Sequence, residues 1–142
     1  MADIIKDNKE WFYSDEVKQH FLKPKNIAVS DKDIELIKPN GVGEVGSPAC
    51  GDVMKMWIHV ENNKITACRW KTFGCASAIA STSMLSVMIT ENNGMNLSDA
   101  EKITAKDILE RLHGLPPNKI HCSVLGDQAL RAAIEDYRKN EK

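Results

Sequence analysis

Apolar and polar side chains alternate along residues 53–60, and this period of two predicts a β-strand with one buried face. Its apolar positions are Met54, Met56, Ile58 and Val60. Asn62-Asn63 is typical of a tight turn, so residues 64–72 are expected to return as an antiparallel partner. Residues 24–48 are predicted to be a long connection with at most a short strand, because three glycines occur within positions 41–46.

One helix is predicted before this hairpin and another after it. Ser14 is expected to cap the first helix, with acidic residues in its first turn and Pro24 at its end. The second helix is predicted to have one apolar face and to stop near residues 92–94. That face consists of Ala76, Ala80, Met84, Val87 and Met88.

Three further helix starts are indicated by capping residues. Ser98 with Glu101 and Thr104 with Asp107 have the spacing of capping boxes, and Ser123 is expected to cap the last helix. The apolar stripe of that helix consists of Gly126, Leu130, Ala133, Ile134 and Tyr137. Strands and helices do not alternate, so the predicted fold class is α+β.

Length and charge restrict the class of protein. The 142 residues predict a single domain over 1–142, with 1–12 as an irregular leader. A net charge of −1 offers no electrostatic attraction for nucleic acid or anionic lipid. No apolar run approaches the roughly 20 residues that span a bilayer, and the acidic start is not typical of a targeting signal. We therefore expect a cytoplasmic protein with no membrane and no nucleic-acid partner; the alternative is a mature organellar protein whose presequence has been removed, which would show the same pattern.

Three of the four cysteines lie in polar loops or at predicted helix starts. Their surroundings are Ala49-Cys50-Gly51-Asp52, Phe73-Gly74-Cys75-Ala76 and Ile120-His121-Cys122-Ser123. The chain has no Cys-x-x-Cys pair, so only the tertiary fold can bring these sulfurs together. Soft sulfur ligands favour iron–sulfur clusters, zinc or copper(I). The pattern therefore predicts a thiolate site that depends on tertiary structure.

The predicted helix starts explain why these sulfurs should be reactive. Cys75 and Cys122 each precede a helix by about one residue, and the positive end of the helix dipole favours the thiolate over the thiol. Such thiolates bind metal and accept persulfide sulfur. Cys50 is followed by Gly51, which lets the backbone approach a ligand closely. The alternative is that all three are buried core cysteines, because free cysteine is among the most buried residue types.

Asp52 and His121 are candidate additional ligands. Asp52 lies two residues from Cys50, so in an extended backbone both side chains point to the same side. A carboxylate is a hard ligand and exchanges easily at a sulfur-bridged iron centre; a turn or strand cap is the alternative role for Asp52. His121 adjoins Cys122, and both can bind one centre only where the backbone is irregular.

The fourth cysteine, Cys68, is interpreted as structural. On the strand over 64–72 it is expected to share a face with Thr66 and Trp70, away from the glycine-rich loops. His20 and His113 are expected to be solvated or to complement helix dipoles. His59 lies on the polar side of its strand and is assigned no special role.

Three long motifs of this chain resemble the U-type iron–sulfur cluster scaffold family, which includes IscU and the N-terminal domain of NifU. They are GEVGSPACGD (43–52), KTFGCASAIA (71–80) and LPPNKIHCS (115–123). The start of the chain, Tyr13-Ser14 to Pro24-Lys25-Asn26, continues the match. The resemblance covers roughly residues 13–138 with the motifs in family order.

The resemblance implies an α+β fold in which a three-stranded antiparallel sheet packs under helices. It also implies transient assembly of a [2Fe–2S] cluster from Fe²⁺ and persulfide sulfur that a cysteine desulfurase supplies, with delivery to apo-protein acceptors. Carried over by position, Cys50, Cys75 and Cys122 are cluster ligands, with Asp52 and His121 as the further ligands. Zn²⁺ is the alternative ion in the isolated protein, because the same thiolates bind it well.

The segment before His121 resembles the family's chaperone-recognition loop, Leu-Pro-Pro-x-Lys. It implies Hsp70/J-protein chaperones as partners, through Leu115, Pro116, Pro117 and Lys119. The variable position is Asn118, where the best-known members carry valine. The alternative interpretation of the segment is a helix stop followed by an extended proline pair.

Two rival functions remain open. One is a zinc-dependent sulfurtransferase of the SufU type, in which a cysteine is the nucleophile. The other is a persulfide acceptor that activates a desulfurase and holds no cluster. The SufU branch has an insertion between the second and third cysteines and lacks the adjacent histidine. This chain has 46 residues between Cys75 and Cys122 and retains His121, which favours the non-enzymatic scaffold.

Overall fold

A computed structural model gives the fold and describes residues 15–47, 52–73, 76–112 and 124–140. The elements are α1 (Asp15–Leu22), α2 (Asp31–Ile37), β1 (Gly41–Ser47), β2 (Asp52–Glu61), β3 (Lys64–Phe73), α3 (Ala76–Thr90), β4 (Met95–Asn96), α4 (Leu97–Glu101), α5 (Ala105–Leu112) and α6 (Val124–Asn140). The strands form one antiparallel sheet in the order β1-β2-β3-β4. The predicted α+β class is confirmed, and a two-residue strand is added to the expected three. The predicted leader and Ser14 lie outside the described residues.

The central hairpin of β2 and β3 is confirmed. The alternating residues Met54, Met56 and Ile58 of β2 are fully buried, as the period of two requires. Asn62 and Asn63 both have positive φ, 53° and 66°, which is the backbone of a tight hairpin turn. Asparagine tolerates this left-handed region better than other non-glycine residues.

A bulge in the hairpin corrects the predicted surroundings of Cys68. The pairing of β2 with β3 shifts register between His59 and Val60. An extra residue reverses which side chains face the core. As a result Cys68 and Trp70 are buried, whereas Thr66 is exposed on the other face. The prediction that Thr66 shares the face of Cys68 was wrong.

The predicted connection over 24–48 is also wrong, because it contains α2 and the full-length strand β1. The carboxylate of Asp33 accepts hydrogen bonds from the backbone N–H groups of Val29 at 2.8 Å and Ser30 at 3.1 Å. It thereby satisfies the N–H of the N-cap residue Ser30 and that of the residue before it.

Strand β1 is rich in glycine because a helix lies directly against it. A Cβ at Gly41 would lie 2.6 Å from the carbonyl oxygen of Ala133. A Cβ at Gly43 would lie 2.5 Å from the amide nitrogen of Ala133 and closer still to the carbonyl of Ala129. Glycine is usually depleted in strands, so composition alone concealed β1.

Helix α3 is buried beyond its predicted apolar face, of which Ala80, Met84 and Met88 are buried. Its hydroxyl residues Ser81, Thr82, Ser83 and Ser86 have no exposed surface. They are buried because α3 contacts α1, β3, α5 and α6. None of the helices in the described part of the chain has the length and apolar character needed to cross a bilayer.

The helix caps were predicted with mixed success. Thr104 and Asp107 form the expected reciprocal cap of α5, with Thr104 N–H donating to Asp107 Oδ2 at 2.9 Å. The expected cap at Ser98 was wrong, because α4 is capped by Asn96, whose Oδ1 accepts from Asp99 N–H at 3.0 Å.

The apolar stripe of α6 is confirmed. Its members Leu130, Ala133 and Ile134 are fully buried, and Tyr137 is partly buried.

Candidate functional site

The structure describes only part of the predicted site. Asp52 is the first residue of β2, whereas Cys50, Cys75, His121 and Cys122 lie outside the described residues, as do Leu115, Pro116, Pro117 and Lys119. Within the described ranges, no three histidine, cysteine or acidic side chains gather where they could hold a metal ion. The site must therefore be built from the described residues that flank each cysteine.

Two of the cysteine segments begin and end at the same end of the sheet. Ser47, the last residue of β1, pairs with Asp52, the first residue of β2. The next residue of β2, Val53, pairs with Phe73 at the end of β3. Cys50 follows Ser47 by three residues and Cys75 follows Phe73 by two. The chain therefore enters the two cysteine segments from β1 and β3, the strands on either side of β2, at the same end of the sheet.

Helix α6 begins at this same end of the sheet. Gly43 of β1 faces Ala129, and the earlier residue Gly41 faces Ala133. Because α6 runs back along β1, its first turn points toward the end of β1 that leads to Cys50. Cys122 precedes the first residue of α6 by two positions.

The first turn of α6 also packs closely against α3. A Cβ at Gly126 would lie 3.1 Å from Thr82 Oγ1 and 3.2 Å from a methyl carbon of Leu85. Helix α3 begins at Ala76, directly after Cys75. Helices α3 and α6 thus begin one and two residues after the predicted ligands Cys75 and Cys122. The positive end of a helix dipole favours the thiolate of a nearby cysteine over the thiol.

Cys68 contrasts with the three loop cysteines. It is buried in the core on β3, and burial raises the pKa of its thiol to about 12. A thiol with so high a pKa stays protonated at neutral pH, which disfavours a role as nucleophile or metal ligand. The surroundings of Cys68 agree with its interpretation as structural.

His20 lies in the last turn of α1, where it can complement the helix dipole, one of its two expected roles, and it is not fully solvated. Its Nδ1 shares a hydrogen bond of 2.6 Å with Ser83 Oγ of α3, and the same oxygen accepts from the N–H of Lys25 at 2.8 Å. Asn26 Nδ2 donates to Ser86 Oγ at 3.0 Å. Helix α1 and the segment after it are therefore fastened to the buried hydroxyls of α3. The polar run 81–83 within an apolar helix was the sequence signal for such a network.

Asp127 is a buried carboxylate that the sequence analysis missed. Its Oδ2 pairs with Arg131 at 3.3 Å, whereas its Oδ1 is buried without a hydrogen-bond partner. Arg131 also donates to the carbonyl of Ile103 at 3.1 Å. Burial raises the pKa of Asp127 despite the charge of Arg131. The i, i+4 spacing with Arg131 was visible in the sequence, but the burial was not.

Replacing Asp127 with asparagine is expected to stabilise the protein at pH 7. A raised pKa means that ionisation of Asp127 opposes folding, so its contribution becomes less favourable as the pH rises above 3.8 through the raised value. The uncharged amide removes this effect and should raise the free energy of unfolding at pH 7. Urea denaturation from pH 4 to pH 8 measures it. A variant that is less stable at pH 7, with unchanged pH dependence, would contradict the prediction.

Comparison with known families gives a match over nearly the whole chain. The profile of the family described as NifU-like N terminal domain matches residues 12–142. The matched range includes each of the three cysteine motifs. The family to which the motifs pointed is therefore the one that the comparison finds.

Named relatives share about half of the aligned residues. "Iron sulfur cluster assembly protein 1" of Trachipleistophora hominis is 48% identical over 127 residues, covering 89% of this chain and 87% of that protein. "Iron-sulfur cluster assembly scaffold protein IscU" of Aquifex aeolicus is 49% identical over 127 residues, covering 88% and 75%. "Nitrogen fixation protein NifU" of Nostoc sp. is 48% identical over 130 residues, but this chain spans only 42% of that longer protein.

Solved structures share the fold at low identity. A NifU-like N-terminal protein from Brucella abortus superposes with a TM-score of 0.65 at 15% identity, covering 90% of this chain and 95% of that one. A scaffold protein for the SUF system from Fervidobacterium islandicum gives 0.60 at 18% identity, covering 89% and 99%. These likenesses establish the α+β architecture.

Proposed function

Because this chain belongs to the NifU-like N-terminal domain family, we propose that it is a scaffold on which an iron–sulfur cluster is assembled and from which apo-proteins receive it. The single observation that carries the proposal is the arrangement of chain ends around the cysteine segments. β1 and β3 end beside the start of β2, and α6 runs back along β1 from the same end. The scaffold names of the relatives support a non-enzymatic role.

The cargo in this proposal is a [2Fe–2S] cluster bound by Cys50, Cys75 and Cys122. Three thiolates provide firm retention, because soft sulfur ligands suit iron–sulfur centres. Converging thiolates repel one another until a cation neutralises them, so iron binding and ordering of the site should be coupled. Zn²⁺ bound to the isolated protein would use the same sulfurs.

The fourth ligand is the position at which the cluster is released from the scaffold to an acceptor. Asp52 or His121 supplies an oxygen or nitrogen in place of a fourth sulfur. The hard carboxylate is a poor match for a sulfur-bridged iron centre, so it exchanges readily with the thiolate of an acceptor. Asp52 stands at the start of β2, paired with Ser47, so its backbone is held by the sheet.

The proposed partners follow from this chemistry. A cysteine desulfurase supplies sulfur as persulfide, and cytoplasmic apo-proteins with free cysteines accept the finished cluster. An Hsp70/J-protein pair is proposed to recognise Leu115, Pro116, Pro117 and Lys119. The family membership supports cluster-assembly partners of this general kind.

Anaerobic reconstitution tests the function directly. The protein is incubated with Fe²⁺, cysteine, a cysteine desulfurase and a thiol reductant that provides the electrons to convert persulfide sulfur to sulfide. Iron and sulfide should be taken up in near-equal amounts, with Mössbauer parameters of a [2Fe–2S] centre, and the cluster should move to apo-ferredoxin. Uptake of neither iron nor sulfide would defeat the proposal.

The same experiment separates the two rival functions. A zinc-dependent sulfurtransferase would retain zinc and carry persulfide sulfur without matching iron. An activator that only accepts persulfide would stimulate the desulfurase and leave the protein colourless. Zinc in the purified protein alone decides nothing, because the same three thiolates bind it.

Replacing Asp52 with alanine is expected to lengthen the life of the cluster and to slow its transfer. Loss of the exchangeable carboxylate removes the position at which an acceptor thiolate enters. A fivefold slower transfer corresponds to about 1 kcal/mol in the activation barrier. The half-time of transfer to apo-ferredoxin is measured by circular dichroism. Asp99→Ala in α4 is the matched control, and equal half-times for Asp52→Ala and the parent would refute the assignment.

A further inference from the structure

The antiparallel sheet has an outer face, opposite the face that packs in the core. The residues of β2 that alternate with its buried methionines lie on this outer face, and they are Val53, Lys55, Trp57 and His59. Helix α2 packs over the His59 end, since the carbonyl oxygen of its cap residue Lys38 is 2.7 Å from His59 Nδ1. At the other end Val53 is 38% exposed, and Lys71 of β3 and Glu44 of β1 are exposed as well. The end of the face from which the cysteine segments start is therefore open to solvent.

Two lysines face each other at this open end. Lys55 of β2 is paired directly with Lys71 of β3, an arrangement of like charges that destabilises a sheet. Glu44 of β1 is opposite Lys55 on its other side, yet neither lysine forms an ion pair with any residue that the structure describes. The carboxylate of Asp33 on α2 accepts backbone hydrogen bonds and acts electrostatically on Arg69. The two lysines therefore present positive charge that no carboxylate neutralises at contact distance, on a chain whose net charge is −1.

Apolar surface accompanies this charge. The ammonium group of Lys55 lies 5.3 Å from the centre of the Trp57 ring, a distance at which an aromatic ring attracts a cation. Trp57 is partly buried, and the exposed side chain of Val53 lies on the other side of Lys55 along the same face. Protein interfaces combine aromatic or aliphatic anchors with a polar rim. Such a combination is present in the group that we call the lysine patch, which consists of Val53, Lys55, Trp57 and Lys71.

The lysine patch lies within a short distance of the predicted cluster ligands. Lys71 precedes Cys75 by four residues, and Lys55 follows Asp52 by three. Because an extended chain spans at most about 3.6 Å per residue, the Cα atoms of Lys71 and Cys75 are no more than about 14 Å apart, whatever the conformation between them. A protein that covers the patch therefore also lies beside the site from which a cluster would leave.

We propose that the lysine patch is the docking surface for the acceptor apo-protein, and that the acceptor presents an acidic face beside its cluster-binding cysteines. The inference rests on the proposed function and adds to it the charge of the acceptor. Opposite charges on the two surfaces accelerate their encounter and fix their relative orientation. Two lysines beside apolar groups suit a protein surface better than a nucleic acid, whose affinity grows with the number of phosphates that are neutralised.

Binding of a strongly acidic apo-ferredoxin to the full chain tests the proposal. Biolayer interferometry at low ionic strength should give a measurable Kd that weakens on addition of salt, because salt screens exposed charges. In Lys55→Gln/Lys71→Gln the affinity at low salt should fall about tenfold. Removal of two facing like charges leaves the sheet no less stable. Equal affinities for this variant and the parent, or no binding by the parent, would overturn the proposal.

Two further variants show whether the effect is local and electrostatic. Lys64→Gln/Lys106→Gln is the matched control, because it removes the same charge from exposed lysines at the start of β3 and in α5. It should keep the parental affinity, as should Lys55→Arg/Lys71→Arg, which retains the charge of the patch. An arginine variant as weak as the glutamine variant would contradict an electrostatic role. Tighter binding of the parent to a short DNA duplex than to apo-ferredoxin would also overturn the proposal.

Cluster assembly distinguishes failure of this inference from failure of the proposed function. The parent and Lys55→Gln/Lys71→Gln should take up iron and sulfide equally, because neither lysine is a proposed ligand. The second-order rate constant for transfer to apo-ferredoxin should nevertheless fall about tenfold in the variant. Absence of iron and sulfide from the parent would defeat the proposed function. Normal uptake with equal transfer rate constants in the two proteins would defeat the docking surface alone.

Discussion

Replacing Cys75 with serine is expected to leave a folded protein that no longer forms a cluster. Serine is nearly isosteric with cysteine, but its hydroxyl has no accessible anionic form at neutral pH and is a poor ligand for soft iron. The visible absorbance after anaerobic reconstitution should be abolished, together with the uptake of iron and sulfide. Circular dichroism in the far ultraviolet should match the parent protein.

Cys68→Ser is the matched control for this experiment. Cys68 lies on β3, the strand that leads to Cys75, but its sulfur is buried and its pKa is raised to about 12. The serine hydroxyl in the core should lower stability by roughly 1–3 kcal/mol, while cluster formation stays nearly intact. Loss of the chromophore in Cys68→Ser together with its retention in Cys75→Ser would overturn the ligand assignment.

Replacing Gly43 with alanine is expected to cause a large loss of stability. A Cβ at this position would meet backbone atoms of Ala129 and Ala133, which cannot rotate away as a side chain can. Helix α6 would have to move off β1, which opens the core around Leu130 and Ile134. We expect the free energy of unfolding to fall by about 3 kcal/mol, the upper range for overpacking.

Chemical denaturation measures this loss, with Glu44→Ala as the control. Glu44 is the neighbour of Gly43 on β1, but its side chain is exposed on the opposite face. Its replacement should change stability by less than about 0.5 kcal/mol. Equal stabilities for the two variants would contradict the packing of α6 on β1. Reconstitution of Gly43→Ala should also be impaired, since α6 follows Cys122.

The elements that sequence patterns predicted well are those whose local rules agree with their tertiary surroundings. The hairpin of β2 and β3 combines alternating burial, β-branched residues and an asparagine turn, and all three favour the same structure. The stripe of α6 is equally consistent. These segments need no information from distant parts of the chain.

The elements that were missed or misread are those in which a distant segment overrides the local pattern. The sequence of β1 is typical of a loop because Gly41 and Gly43 are unfavourable in strands. Glycine is required at both positions because the backbone of α6, about ninety residues later in the chain, leaves no room for a Cβ. Likewise α3 has polar residues on every side, yet α1 and α6 cover them. Thr66 was placed on the wrong face because a single bulge reversed the alternation.

The candidate site divides in the same way. The choice of Cys50, Cys75 and Cys122 came from their glycine and helix-start contexts, and it stays a prediction. The pairing of Ser47 with Asp52 and of Val53 with Phe73 could not be read from those contexts. The burial of Asp127 could not be predicted, because it depends on the elements that pack against α6 and not on local spacing.

Local residue order specified the α+β class, the central hairpin and the last helix of this protein, because propensity and periodicity act over a few residues; the thiolate site that it also indicates stays a prediction. The tertiary structure decided the strand character of β1, the burial of the α3 hydroxyls and the meeting of strand ends with the start of α6. Those features arise from contacts between segments far apart in the chain. The free energy of these contacts depends on which surfaces pack together, and the local sequence does not specify that packing.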